Sequence, residues 1–205
     1  MHTIEKDLRP LHRVAVLRSV EAVGAVHPSD LHRPTPCAEW TLADLLAHMT
    51  VQHRGFAAAA RGHGADESVW DVGTVASAVR ADPVGAYTAA AHDVLDAFAA
   101  DGITEATFAL PEFGPDATFP GALAIGFHFV DYAVHGWDVA ASLGSTYDLP
   151  DDVVAAVLPL VTAIPDGDVR DTAASPFDRA VNVSAATDFD RILAHLGRRP
   201  DWRQP

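Results

Sequence analysis

Apolar residues recur near the start of the chain at the spacing of a helix. Over Leu8–Val26 they fall at Leu11, Val14, Leu17, Val20 and Val23, so this stretch is predicted to be an amphipathic helix. Pro28, Pro34 and Pro36 then force an irregular connection. A second helix starts sharply. Thr41 is placed to cap it, Asp44 stands at its third position, and Trp40 can staple back on Leu45. It runs through LADLLAHMTVQHRGFAAAARG and stops at Gly62 or Gly64. HGADESVWDVGTV reads as a connection with a short turn of helix. A third helix is expected over Asp82–Ala100, with Pro83 in its first turn and Gly102 beyond its end. The segment 103–120 reads as loop with a short hairpin around EFGPD. The longest helix follows, Pro120–Leu143, stopped by Gly144. A fifth begins at Pro150, and a last one is capped by Thr187 and ended by Gly197. The pattern predicts a mainly α chain. A four-helix bundle would occupy residues 1–145, with a long connection between its second and third helices, and a short helical C-terminal extension, 146–205, would pack on it.

Composition narrows the function. With 205 residues, 49% of them hydrophobic, the chain can bury a proper core. A formal net charge of −14 opposes both nucleic acid and an anionic membrane surface, which need clustered Lys and Arg. MHTIEKDLRP has no apolar signal core, and no run approaches the roughly 18–20 apolar residues of a membrane span. A cytoplasmic location is expected. Cys37 is the single cysteine, which rules out a disulfide framework or a thiolate zinc cluster, and it reads as a small buried hydrophobe. Lys6 is the one lysine against thirteen arginines, which with abundant Ala points to a GC-rich genome.

The chemistry concentrates in HFVDYAVHGWDVAASLG, residues 128–144. At about 100° per residue, Asp131 and His135 lie roughly 60° and roughly 20° from His128, on one stripe of an otherwise apolar helix. A helix apolar nearly all round is buried, and buried imidazoles and carboxylates need partners. The second helix carries a matching stripe with His48, followed one turn later by Gln52. If the two stripes face each other, His48, Asp131 and His135 form a three-point site of the kind by which helix bundles hold metals. His128 and Gln52 are candidates for a fourth ligand or for orienting the others. The other outcome is a satisfied polar core, with His135 donating to Asp131. His53, roughly 140° from His48 around the helix, is expected at the surface or an interface. His32, His63, His92 and His195 are expected to be solvated. Arg54 is expected in a surface ion pair, with guiding an anionic substrate from the pocket rim as the alternative. Trp137 is expected in packing, and Asp138 as a hydrogen-bond partner that orders the motif.

PTPCAEWTLADLLAHMTVQHRGFAAAARG and HFVDYAVHGWDVAASLG together resemble the mycothiol-dependent maleylpyruvate isomerase metal-binding domain, part of the DinB-like four-helix-bundle group. The ending ATDFDRILAHLGRRPDW resembles an uncharacterised branch of that group. The resemblance implies a divalent metal, zinc with nickel as the alternative, held at the positions of His48, Asp131 and His135. The family isomerase usually carries Glu where this chain has Asp131, and it has a larger second domain than residues 146–205. It further implies a metal-dependent S-transferase or isomerase-like enzyme acting on a low-molecular-weight thiol and an electrophile. Mycothiol suits a GC-rich genome, while the residues leave glutathione and bacillithiol open. The alternative is a non-catalytic bundle that binds a metal or small ligand in a regulatory or structural role. Either outcome leaves room for a homodimer.

Overall fold

In the computed structural model, which describes residues 7–37, 39–172 and 175–204, four long helices close a ring. They are α1 (Arg9–Val23), α2 (Leu42–Ala60), α4 (Pro83–Phe98) and α5 (Gly121–Leu143). α1 packs on α5, α5 on α2, α2 on α4, and α4 back on α1. Between them Val16, Leu46, Met49, Tyr87, Leu95 and Tyr132 form one buried cluster. Each large apolar side chain buried there contributes about 1.5–3 kcal/mol relative to leaving it in water. Met1–Lys6, most of the stretch read as lacking a signal core, lies outside the described residues. No helix among the described residues is long and apolar enough to cross a membrane.

Two local expectations are corrected. The most buried stripe of α1 is His12, Ala15, Val16, Ser19 and Val23, rotated from the predicted one, whose Leu17 and Val20 sit at the cluster's edge. The rotation is tolerated because the polar members find partners: Ser19 Oγ lies 2.5 Å from the Tyr87 hydroxyl, and His12 meets His128. The connection after α2 has the expected short helical turn, at Glu67–Trp70, but a further, unexpected helix follows it, α3 (Gly73–Ala81). GTVASAVRA is a weak helix former by composition. Val75 and Val79, four apart, are nevertheless buried as α3 packs on α2 and α4, and packing overrides propensity.

The expected hairpin is present. β1 (Thr107–Ala109) pairs antiparallel with β2 (Thr118–Pro120), with Phe108 opposite Phe119. β2 leads straight into α5. Gly121, the first residue of α5, donates its N–H to the Ala106 carbonyl at 2.7 Å, and a Cβ there would run into the carbonyl oxygen of Ile103. Gly121→Ala is therefore expected to cost about 1–3 kcal/mol by overpacking, read as a lower urea midpoint with unchanged slope. An unchanged midpoint would show that the hairpin gives way freely.

Beyond the ring, α6 (Asp151–Thr162) packs on α1 and α5, and α7 (Asp188–His195) packs on α6. Val153, Val157 and Val161 bury one stripe of α6 together with Ile192, Leu193 and Leu196. The predicted start of α7 holds: Thr187 accepts from the Asp190 N–H, and the Asp190 carboxylate accepts from the Thr187 N–H. Gly197, at φ 83°, then turns the chain out of the helix.

Candidate metal centre

Local sequence sets the register of both contributing helices. Thr41 and Asp44 exchange hydrogen bonds in a capping box, which starts α2 one residue after Thr41 and places His48 two turns in. On α5 the apolar residues take the packed faces, while Asp131 and His135, one turn apart, share the face toward α2.

The expected trio meets. His135 Nε2 lies 3.2 Å from one oxygen of Asp131, and His48 Nε2 lies 4.0 Å from the other. The two imidazole rings stand edge to face, 5.3 Å apart. One donor atom from each of the three residues falls within 4.8 Å of the others. The His48 and Asp131 side chains are 25% and 24% exposed, against 7% for His135, so the site opens to solvent on one side. Trp40 rests against His48, ring centroids 4.9 Å apart.

The environment tunes each member. Burial pushes His48 down to about 4 despite the nearby Asp131 carboxylate, so its ring nitrogen carries a free lone pair at neutral pH. Burial raises Asp131, but the charge and hydrogen bond of His135, with His48 and Arg198, outweigh it and hold Asp131 at about 2. His135 is also opposed by burial, yet the carboxylates of Asp131 and Asp138 hold it well above the usual histidine range.

The far side of His135 is built just as closely. His135 Nδ1 donates to Asp138 Oδ2 at 2.8 Å, as expected for a residue that orders the motif. Asp138 is fully buried and also receives Arg198 Nη2 at 3.3 Å. Cys37 is not an inert hydrophobe. Its thiol lies 3.3 Å from Asp138 Oδ2 and 3.4 Å from Arg198 Nη2. Cys37, His135 and Asp138 thus form a second set of donor atoms with metal-like spacing. Hydropathy gives no sign of Arg198, since an arginine pair just after a helix looks solvated. The only pointers are the two stretches PTPCAEW and LGRRPDW, which hold Cys37 and Arg198.

Three other positions make hydrogen bonds or packing contacts of their own. Both ring nitrogens of His128 are engaged elsewhere, Nδ1 with His12 Nε2 at 2.8 Å and Nε2 with His53 Nδ1 at 3.1 Å. Gln52 donates to Glu112 at 3.1 Å. His53 is not at the surface: it is fully buried and stacked on Tyr132 at 3.8 Å, because the other flank of α2 faces α4 and α5 rather than water. Burial holds His12 at about 3 and His53 and His128 well below the normal histidine value, so all three are neutral. His32, His63 and His92 are exposed as expected. His195 is half-buried instead, its Nε2 at 2.9 Å from the Ile164 carbonyl. Arg54 lines a surface depression of about 620 Å³ that includes no member of the trio.

A family model described as the mycothiol maleylpyruvate isomerase N-terminal domain matches residues 12–140, a span that holds all three members of the trio. The chain belongs to this family. Two relatives, both uncharacterized proteins from strains of Mycobacterium tuberculosis, are 31% identical over 176 residues, covering 84% of this chain and 87% of theirs. A crystal structure of the mycothiol-dependent maleylpyruvate isomerase aligns with a TM-score of 0.56 at 14% identity, over 76% of this chain. This chain spans 66% of that enzyme's length. A single-substitution variant of the same enzyme gives 0.55 at 12% identity, over 83% of this chain and 80% of that one. At such identities the likeness is one of fold, and the fold is mainly helical.

Proposed function

We propose that this member of the isomerase family binds a divalent metal, zinc in the first instance, through His48, Asp131 and His135, and acts on a small thiol of the mycothiol type. The observation that carries the reading is the convergence of two imidazole nitrogens and a carboxylate from α2 and α5 beside an opening to solvent. The donor set fits such a metal, with three protein ligands and open positions left over. Bound there, the metal supplies the Lewis acidity that makes a thiol a thiolate at neutral pH. His48 presents a neutral nitrogen, Asp131 brings charge as well as an oxygen, and Asp138 fixes the ring of His135 from behind. Transfer of the thiol to an electrophilic carbon, or an isomerisation by addition and elimination, is the reaction class this serves. The cytoplasm is the compartment it suits.

His48→Ala or His135→Ala is expected to lower metal affinity by at least about 100-fold, more than the 10–100-fold typical of an outer partner. His63→Ala, at an exposed position, serves as the control and should retain the metal. Elemental analysis after chelator-free purification reads the difference, and equal metal in all three variants would refute the assignment. Calorimetric binding of mycothiol to the metal-loaded protein but not to the stripped one would support the thiol. Equal binding to both forms would place the thiol elsewhere.

A further inference from the structure

His135 stands between two donor sets, and the structure shows what separates them. On its Nε2 side are Asp131 and His48, half-open to solvent. On its Nδ1 side are Asp138 and Cys37, spaced as closely as the first set. A cation already occupies that second side. The Arg198 guanidinium lies 3.3 Å from Asp138 Oδ2 and 3.4 Å from Cys37 Sγ, and its other terminal nitrogen donates to the Leu196 carbonyl at 2.8 Å. Arg198 is nine-tenths or more buried, and Phe177 lies under its guanidinium carbon at 5.9 Å. Among the described residues, Asp138 Oδ1 and Arg198 Nε are buried without hydrogen-bond partners. An arginine carries its charge under all ordinary conditions, and a dication beside it would meet direct repulsion.

We propose that Arg198 is a positioning residue for the metal centre: it fills the cation place on the Cys37 side of His135 and, through Asp138, points Nε2 toward Asp131 and His48. The segment after α7 would thereby decide which face of His135 receives the metal and keep the Cys37 thiol out of its coordination. This rests on the metal assignment made above for His48, Asp131 and His135.

Cobalt(II) titration tests it, because thiolate coordination adds an intense near-ultraviolet charge-transfer band that nitrogen and oxygen ligands lack. Wild type should bind cobalt without that band. Arg198→Met, of similar length and without charge, should bind about 10–100-fold more weakly at the open site and should show the thiolate band, which Cys37→Ser in the same background removes. Arg198→Lys should restore most of the affinity and suppress the band. If Arg198→Met does not fold, as judged by circular dichroism, Asp138→Asn gives the affinity readout, with the same weakening expected. Wild-type affinity and spectrum in whichever of these variants folds would overturn the proposal alone. A wild-type protein that takes up no cobalt would instead overturn the metal assignment, and this proposal with it.

Discussion

Zinc is expected to raise the melting temperature of the wild-type protein and to leave that of Asp131→Asn nearly unmoved. At zinc concentrations about 100 times the dissociation constant, binding stabilises the folded state by about 2.7 kcal/mol. For a chain of this size that corresponds to roughly 5–10 °C. Asn has nearly the volume of Asp and still accepts a hydrogen bond from His135, whose Nε2 lies 3.2 Å away. It brings no charge, and as a neutral amide it is a poor metal ligand. A 100-fold weaker site would keep only about 0.4 kcal/mol of that stabilisation. The chelated variant tests the polar-core alternative at the same time. Asp131 carries its charge at neutral pH, held low by His135 and His48, so the chelated variant should melt somewhat below the chelated wild type as that ion pair is lost. Equal zinc shifts in both proteins would show that Asp131 is not a ligand. No shift in either would favour a satisfied polar core.

Acid is expected to destabilise the metal-free protein well before its carboxylates titrate. His12 is buried and neutral with a folded value of about 3, against 6.5 when unfolded. Below pH 6.5 the unfolded chain therefore binds a proton that the folded chain refuses, so stability is complete above that value and is lost as pH falls toward 3. At pH 5 the loss from His12 alone is about 2 kcal/mol. His53 and His128 act in the same direction, as does His48, whose folded value is about 4. His135 opposes them only above about pH 6.5, where its folded form keeps a proton that the unfolded chain gives up; well below that it is protonated in both states and adds no slope. Urea midpoints measured from pH 6.5 to 5 should fall steeply, and His12→Gln, which cannot titrate, should flatten the fall. A flat profile for wild type would mean that the three imidazoles accept protons in place.

Much of the site was legible because its parts are local. The Thr41 and Thr187 caps, the break at Gly144 and the shared stripe of Asp131 and His135 depend on residues within a few positions of one another. His48 followed from the register set by Thr41, and the helical period places it regardless of what lies opposite. The α3 helix was hidden for the converse reason, since Val75 and Val79 are held by α2 and α4 rather than by the propensity of GTVASAVRA.

What the chain determined by itself is α1, α2, α4, α5, α6 and α7, the caps at Thr41 and Thr187, and the stripe shared by Asp131 and His135, because capping and periodicity act over a turn or two. Which stripe residues meet was decided only by the tertiary structure. His128 shares a stripe with Asp131 and His135, yet about two turns before His135 along α5 it meets His12, 116 positions earlier in the chain. Arg198 reaches Asp138 across 60 positions only because α6 and α7 pack back on the bundle. Such contacts depend on how each helix is rotated in the ring and where the last segment lands. Those are properties of the whole core's packing, and no window of sequence contains them.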